Sequence, residues 1–351
     1  MKVDIPLLDF PSLALEKVLR KLNYADLFEF SLCSPESNRR VKKHNCSEST
    51  VIDITVDSTC QELVVKDGNK NRTIWYFSSQ EETLNNYDIR TLNGVCVKIK
   101  RISVSIFRML IKEGEHHPMT TIYEYLTDLF NIPVGKLTVN MNNCPENLYL
   151  FLGDIQQCQN LDLFVYQNFG NEEMVRHFIE VLQVSEYSRI NIQSKFLKSL
   201  QTDSTRFSAD LLKVTTPWRM SKDTFLNMDC RSIEAGRYNF APQDYFDFVS
   251  KWFNSSDNRL EYCHVAKKDC KRIADYSVFS PLPWNKEKRS RAFRTEFNRV
   301  LDTSDGMDIV RSDGALATIK DTVDAFYFFV WKDRFPAINL SNSFQLIRND
   351  Y

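Results

Sequence analysis

Hydrophobic positions in the first forty-odd residues recur at the spacing of an α-helix. Ser12 and Asn23 are side chains of the kind that caps a helix N-terminus, and Ser34-Pro35 has the form of a cap followed by a first helical residue. The pattern therefore predicts three short helices. Four apolar side chains share one predicted helical face, at positions i, i+3, i+4 and i+7: Leu15, Val18, Leu19 and Leu22.

Between residues 50 and 106 the hydrophobic period changes to two. The segments VIDITVD, TIWYFS and VCVKIKRISVSI each alternate apolar with polar side chains, which is typical of strands with one covered face. Asp67-Gly68 and Asn93-Gly94 are turn sequences between such strands. We therefore predict a β-rich connecting region, or first repeat region, at 47–115.

The part of the chain between residues 116 and 270 alternates strand-like and helix-like segments. The predicted strands are 136–140, 161–167, 189–193, 211–215, 232–235 and 260–265. The predicted helices are 122–130, 146–155, 172–182, 194–200, 221–228 and 242–253.

Marker hydrophobes in successive predicted strands lie between 21 and 29 residues apart, close to the length of a leucine-rich repeat. The predicted fold class is therefore α/β, a degenerate leucine-rich-repeat-like horseshoe. An ordinary open α/β sheet is the alternative, because both bury helices on strands. In a horseshoe, the outward positions of the parallel strands form a concave surface suited to a protein target. Six residues would lie there: Thr138, Asn140, Asp162, Phe164, Asn191 and Gln193.

Near its C-terminus the chain returns to alternation, in the segment MDIVRSDGALATIKDTVDAFYFFVW. Asp313-Gly314 is a hairpin turn between its first two alternating runs. We expect this β-hairpin to cap the last repeat.

Composition narrows the class of protein. A chain of 351 residues corresponds to about two domains at roughly 150 residues each. With 45 basic and 46 acidic residues, the net charge of -1 gives no overall attraction to nucleic acid. The nine cysteines and the absence of a signal-like start predict free thiols in an intracellular protein, in the cytoplasm or nucleus. No apolar run is long enough to span a membrane.

Sequence motifs of catalysis are absent. The chain contains no phosphate loop, dinucleotide glycine pattern, Gly-x-Ser-x-Gly elbow or His-Glu-x-x-His pair. Cys263-His264 with Cys270 lacks the spacing of a structural zinc site, and the adjacent His116 and His117 point apart on any regular element. We therefore predict a non-catalytic protein with no cofactor and no metal.

The N-terminal hydrophobes also carry a family resemblance. Phe10-Pro11, Leu13, the Val18-Leu19-x-x-Leu22 pattern, Leu27 and the Leu32-Cys33-Ser34 ending resemble, over residues 6–44, the F-box that docks substrate receptors on the Skp adaptor of cullin-RING ubiquitin ligases. Phe10 stands where many F-boxes have leucine, and the common tryptophan after the cysteine is missing. An N-terminal helical hairpin that packs on the rest of the chain is the alternative. The resemblance implies adaptor contacts by seven residues: Pro11, Leu13, Leu15, Val18, Leu19, Leu22 and Leu27.

Most of the chain resembles F-box proteins with a C-terminal F-box-associated domain of type 2. The terminal hairpin carries much of this likeness, in D-I-x-R-x-D-G-x-x-A-T-I followed by F-x-F-x-V-W. The resemblance implies an F-box at 1–46, the β-rich region at 47–115 and an F-box-associated, substrate-binding domain at 116–351. It also implies a substrate-recognition subunit of a Skp-cullin-F-box ubiquitin ligase. A non-ligase protein-interaction scaffold is the alternative, and a hydrolase would need a pocket with converging titratable groups.

Overall fold

A computed structural model describes residues 8, 10–43, 48–57, 60–68, 71–79, 87–111, 117–144, 146–166, 172–192, 207–215, 220–268 and 273–332. The chain divides into two compact units, which we call unit 1 (Met1–Asp162) and unit 2 (Leu163–Tyr351). The three-part division at 1–46, 47–115 and 116–351 stays a prediction. Each unit is described by itself below.

Eight α-helices lie in the described residues. In unit 1 they are α1 (Ser12–Leu19), α2 (Tyr24–Ser31), α3 (Pro35–Lys43), α4 (Pro118–Phe130) and α5 (Tyr149–Asp154). In unit 2 they are α6 (Glu172–Arg176), which continues as a π-helix (His177–Val181), α7 (Lys222–Leu226) and α8 (Pro242–Phe253). Short 3-10 turns occupy Met141–Asn143, Glu146–Leu148 and Ser277–Phe279.

The strands of unit 1 are β1 (Thr50–Val56), β2 (Gln61–Asp67), β3 (Asn71–Ser78), β4 (Asp88–Leu92), β5 (Val95–Ser103), β6 (Ile106–Leu110) and β7 (Val134–Asn140). Strand β8 (Gln157–Val165) contains the boundary between the units. Those of unit 2 are β9 (Gln183–Ile192), β10 (Leu211–Val214), β11 (Ser232–Tyr238), β12 (Tyr262–Lys267), β13 (Leu282–Pro283), β14 (Ala292–Arg294), β15 (Val300–Asp302), β16 (Met307–Val310), β17 (Leu316–Asp321) and β18 (Ala325–Trp331).

The three predicted N-terminal helices form, and two of their caps are confirmed. Asn23 Oδ1 accepts the backbone N–H of Asp26 at 2.8 Å. Ser34 Oγ accepts the backbone N–H of Ser37 at 3.0 Å. The capping role predicted for Ser12 is wrong, because Pro11 holds the cap position and makes no side-chain cap bond. We call residues 10–43 the helical module.

Unit 1 contains a mixed sheet with the strand order β7-β1-β2-β3-β6-β5-β4. Strands β1 and β7 are parallel, as are β3 and β6, and the other neighbours are antiparallel. Strand β2 was not predicted, because Leu63, Val64 and Val65 are consecutively buried and show no alternation. Asn93-Gly94 forms the predicted turn between β4 and β5, with both residues at positive φ.

Unit 2 contains a parallel stretch in the order β9-β10-β11-β12, extended by antiparallel β18, β17, β16 and β13. The parallel strands agree with the predicted Leu-x-Leu segments. The predicted helix at 194–200 lies outside the described residues. The leucine-rich-repeat-like horseshoe is not confirmed: the chain is a mixed α/β protein in which β12 pairs with antiparallel β18.

Helices α7 and α8 cover one face of the unit 2 sheet with aromatic contacts. Phe248 lies 5.8 Å from Phe328, and Trp252 lies 5.1 Å from Phe328, between ring centroids. Cys263 and Val265 are fully buried and alternate along β12 with residues of the opposite face. We call that opposite face, where no described α-helix packs, the helix-free face.

The predicted C-terminal hairpin is present, with Gly314 at a φ of 84° in the turn between β16 and β17. Its polar residues have structural roles. Asp308 is 1% exposed. Its carboxylate accepts hydrogen bonds from the Arg289 guanidinium at 2.8 Å and from the Thr318 hydroxyl at 2.7 Å. The Trp331 indole N–H donates to Thr318 Oγ1 at 2.8 Å. One hydrogen-bonded network therefore joins the strands of this hairpin to β18.

Candidate functional site

The helical module packs on the rest of unit 1 through α2. The Phe28 ring lies 5.6 Å from Trp75, 5.3 Å from Phe107 and 5.6 Å from Tyr125, in edge-on contacts. Ser31 Oγ lies 2.8 Å from the Tyr125 hydroxyl. Side chains of β3, β6 and α4 therefore bury one face of α2, as a small helical segment requires for stability.

Arg101 of β5 adds a polar contact to the exposed side of α2. Its guanidinium donates to Asp26 Oδ1 at 2.6 Å and to Glu29 Oε2 at 3.2 Å. Next to it, Ile102 and Val104 are 48% and 70% exposed at the turn between β5 and β6. The orientation of α2 is thus fixed by a buried aromatic cluster on one side and ion pairs on the other.

Unit 2 contains a cavity of about 1070 Å³ on its helix-free face. Residues paired in register on five neighbouring strands form its floor, in the order Lys213, Glu234, His264, Tyr327 and Lys320. Arg299, from the segment before β15, reaches the same floor and pairs with Glu234 at 2.6 Å. Lys213 pairs with Glu234 at 2.8 Å. A single buried carboxylate thus lies between two cations.

A β-bulge brings another cation to this cavity. The register of β11 against β12 shifts between Ala235 and Arg237, and beyond the shift Arg237 pairs with Ala266. Strict alternation from Glu234 would turn Arg237 toward the helices. The extra residue instead turns it to the side of Glu234, and bulges near functional sites commonly have this effect. Lys268 lies on the same face, at even spacing from His264.

His264 is 7% exposed, and its ring stacks on Tyr327 at 4.6 Å. Within the described residues its Nδ1 has no hydrogen-bond partner. The pKa of His264 is lowered from 6.5 to about 4. Burial is the largest cause, Glu234 acts in the opposite direction, and Arg299 and Lys213 add to the lowering. The imidazole is therefore neutral at pH 7.

Comparisons with known proteins identify two regions of the chain. A family model of the F-box domain matches residues 7–48, and a model described as F-box associated matches residues 191–265. The chain carries both domains. Such an architecture is typical of non-catalytic adaptor proteins that recognise substrates.

Two relatives from Caenorhabditis elegans match over most of the chain. Uncharacterized protein F59B2.8 is 22% identical over 96% of this chain and 80% of its own length. Uncharacterized protein F59B2.9 is 22% identical over 94% of this chain and 80% of its own length. No solved structure matches the chain significantly.

The F-box residues predicted to contact an adaptor differ in their exposure. Leu15, Leu19 and Leu27 are 2%, 3% and 2% exposed. They lie in the core of the folded chain, which corrects the expectation of an outward-facing position for these three. Exposed or half-buried positions remain at four of the seven residues: Pro11, Leu13, Val18 and Leu22.

The F-box-associated match contains β10, β11 and part of β12, which supply Lys213, Glu234 and His264 to the cavity. Sequence reasoning missed these three residues. The usable signal was their place inside the predicted strands 211–215, 232–235 and 260–265, where each follows an apolar residue: Leu212, Ile233 or Cys263. The C-terminal part of unit 2 supplies three more residues to the cavity: Arg299, Lys320 and Tyr327. Only the fold shows that they lie close to Lys213, Glu234 and His264.

The six predicted substrate contacts are divided between the two units, and one of them lies outside the described residues. Thr138 and Asn140 are half-buried on β7 of unit 1, whereas Phe164 and Asn191 are half-buried in unit 2. Asp162 is 6% exposed and pairs with Lys136 at 2.6 Å, so it is not the exposed contact we expected. Gln193 lies outside the described residues. A shared substrate surface for these residues stays a prediction.

The remaining chemical candidates have structural roles or do not converge. Cys263 and His264 are adjacent on β12 and face opposite sides of the sheet, and Cys270 and His116 lie outside the described residues. His117 is 1% exposed, and its Nδ1 accepts the backbone N–H of Met119 at the start of α4, so it has a structural role. Across the described ranges, no cluster of three potential metal ligands occurs, and no helix has the length and apolar character of a membrane span.

Proposed function

We propose that this protein is the substrate-recognition subunit of a Skp-cullin-F-box ubiquitin ligase. The observation that carries the proposal is an F-box whose α1 exposes Leu13, at 65%, on a module held firmly by the rest of unit 1. The F-box would dock on a Skp-type adaptor, and the F-box-associated domain would hold a protein target. Tethering the target raises its effective concentration near the ubiquitin-charged enzyme.

Among the seven F-box residues we assign direct adaptor contact to Pro11, Leu13, Val18 and Leu22. The three buried leucines would contribute by packing in the core that holds these four residues in position. Charged substitution of Leu19 would destabilise the fold as well as the interface, since it places a carboxylate in a core position.

Three of the described cysteines are unsuited to thioester formation, as an adaptor role would allow. Burial raises the pKa of Cys144, Cys158 and Cys230 to about 12. These thiols are protonated at pH 7, whereas a nucleophilic cysteine reacts as the thiolate.

The test is co-elution of the full chain with a Skp-type adaptor in size-exclusion chromatography. Leu13→Asp combined with Leu22→Asp should weaken adaptor binding by at least about tenfold, because it places charges in an apolar contact. Leu150→Asp is the matched control, since Leu150 is 84% exposed on α5 outside the F-box. Undiminished binding by the double variant would refute the proposed surface.

Absence of adaptor binding by the unmodified chain would instead favour the alternative of a non-ligase interaction scaffold. The two functions share the target-binding domain and differ only in this contact. The same chromatography therefore separates them.

A further inference from the structure

The cavity on the helix-free face of unit 2 has the charge of an anion-binding site. Its lining includes two carboxylates, Glu234 and Asp324, and an excess of cations. Its volume of about 1070 Å³ is at the upper end of small-ligand pockets, which makes room for several side chains of a peptide. Six lysines and arginines line it: Lys213, Arg237, Lys267, Lys268, Arg299 and Lys320.

These cations differ in how far they are neutralised. Lys213 and Arg299 share Glu234, Lys320 pairs with Asp305 at 2.9 Å, and Lys267 pairs with Asp321 in the interior. Arg237 and Lys268 are exposed to the cavity, and neither has an ion-pair partner in the part of unit 2 that the structure describes. Two cations are therefore available to an incoming anion.

His264 is a buried polar residue in the lining of the cavity. A side chain that is 7% exposed has lost most of its contact with water, and a buried polar atom without a hydrogen bond is costly. His264 Nδ1 is such an atom within the described residues, and the residue lines the cavity.

We propose that this cavity binds an acidic segment of the target protein, with anionic oxygens paired to Arg237 and Lys268. The inference rests on the proposed function and names the chemical class of the target segment. Carboxylates and phosphorylated side chains share this chemistry. A nucleic acid is less favoured, because the cations surround one cavity and the chain as a whole has a net charge of -1.

The experiment screens the full chain on an array of random-sequence peptides, with and without phosphoserine. We expect the retained peptides to be enriched in Asp, Glu or phosphoserine. The best acidic peptide, labelled with fluorescein, is then titrated by fluorescence anisotropy beside its glutamine-substituted counterpart, inorganic phosphate and a single-stranded RNA. Selective binding of the carboxylate or the phosphoserine form supports the proposal and distinguishes the two sources.

Arg237→Glu combined with Lys268→Glu should weaken binding of the acidic peptide by roughly tenfold or more. The matched control is Lys286→Glu with Lys288→Glu, which changes the net charge equally at exposed lysines of unit 2 outside the cavity lining. Glu234→Gln should strengthen binding by roughly threefold, because it frees Lys213 and Arg299 from their shared carboxylate. If Glu234 had only a structural role, Glu234→Gln would not strengthen binding of the acidic peptide.

Four outcomes would overturn the inference: equal binding of the glutamine peptide, no enrichment of acidic peptides, tighter binding of RNA than of any peptide, or binding of inorganic phosphate alone. A control pair as damaging as Arg237→Glu with Lys268→Glu would do the same. Adaptor co-elution of each variant is measured in parallel. Loss of adaptor binding with intact peptide binding would contradict the proposed ligase role. Loss of peptide binding with intact adaptor binding would contradict the proposed role of the cavity.

Discussion

His264 lies between opposing charges, and its environment decides its protonation state. Arg299 and Lys213 face it from the segment before β15 and from β10, Glu234 faces it from β11, and Tyr327 stacks on it from β18. These influences together lower the pKa of His264 to about 4, against 6.5 for the free side chain, and desolvation is the largest of them. The folded protein therefore holds the neutral form.

This shift makes folding stability depend on pH. The unfolded chain binds a proton at His264 below pH 6.5, while the folded chain binds it only near pH 4. Stability is thus fully present above pH 6.5 and is lost as the pH falls toward 4. Between pH 7 and pH 5 we expect the free energy of unfolding to fall by about 2 kcal/mol more in the unmodified protein than in His264→Asn. Urea denaturation at both pH values measures the difference, and equal losses would contradict the assignment.

At the scale of elements, the terminal hairpin depends on one buried ion pair. Arg289 and Arg291 belong to the same basic segment, yet their side chains are 0% and 66% exposed. Arg289 bonds both oxygens of Asp308 on β16, and also the backbone and side chain of Thr303. This buried network connects the segment before β14 to the β16–β17 hairpin.

We expect Arg289→Met to lower the free energy of unfolding by about 3–5 kcal/mol, because it leaves the Asp308 carboxylate buried and unpaired. Arg291→Met removes an exposed pair with Asp302 and should lower the free energy of unfolding far less, because solvent screens that pair. Urea denaturation of both variants at pH 7 makes the comparison. Similar effects at the two positions would show that burial of the Asp308 pair is unimportant.

Periodicity in the sequence predicted most elements but not all of them. Helix α8 has one face on the core, so its helical pattern was informative. The parallel strands β10 to β12 were also predicted, although β11 and β12 each contain four consecutive buried residues. Strand β2 has a continuous run of buried residues, which no alternating pattern marks. Arg289 belongs to a basic stretch before β14, and its burial depends on Asp308, a residue that only folding brings near it.

The candidate site was less predictable than the fold for a related reason. The F-box motif was visible as an order of hydrophobes, but sequence spacing could not show that Leu15, Leu19 and Leu27 face the chain's own core. In unit 2 the bulge after Ala235 places Arg237 on the same face of the sheet as Glu234. Strict alternation along the strand would place it on the opposite face. The cavity also combines residues from β10 to β12 with Tyr327 and Lys320, whose neighbours are set by antiparallel pairing with β18 and β17.

At the scale of the whole molecule, the proposed function requires an F-box that keeps its shape while a separate region holds the target. The packing of α2 shows which parts of the chain are needed to support the F-box. Phe28 and Ser31 contact β3, β6 and α4, so residues 1–46 omit most of the core that supports the F-box. Helices of eight or nine residues are not stable alone in water. Unit 1 is the smallest compact part that includes these partners.

A chimera tests whether proximity is the whole contribution of this protein. Residues 1–162 fused to a small binding domain should direct ubiquitination of that domain's ligand in a reconstituted Skp-cullin reaction, because tethering alone supplies the effective concentration. Residues 1–46 in the same fusion should be at least about tenfold less active, since the F-box lacks its supporting core. The control is the longer fusion with Leu13→Asp and Leu22→Asp. Equal activity of the two fusions would show that the F-box folds without β3, β6 and α4, and activity of the control would show that the adaptor does not use Leu13 and Leu22.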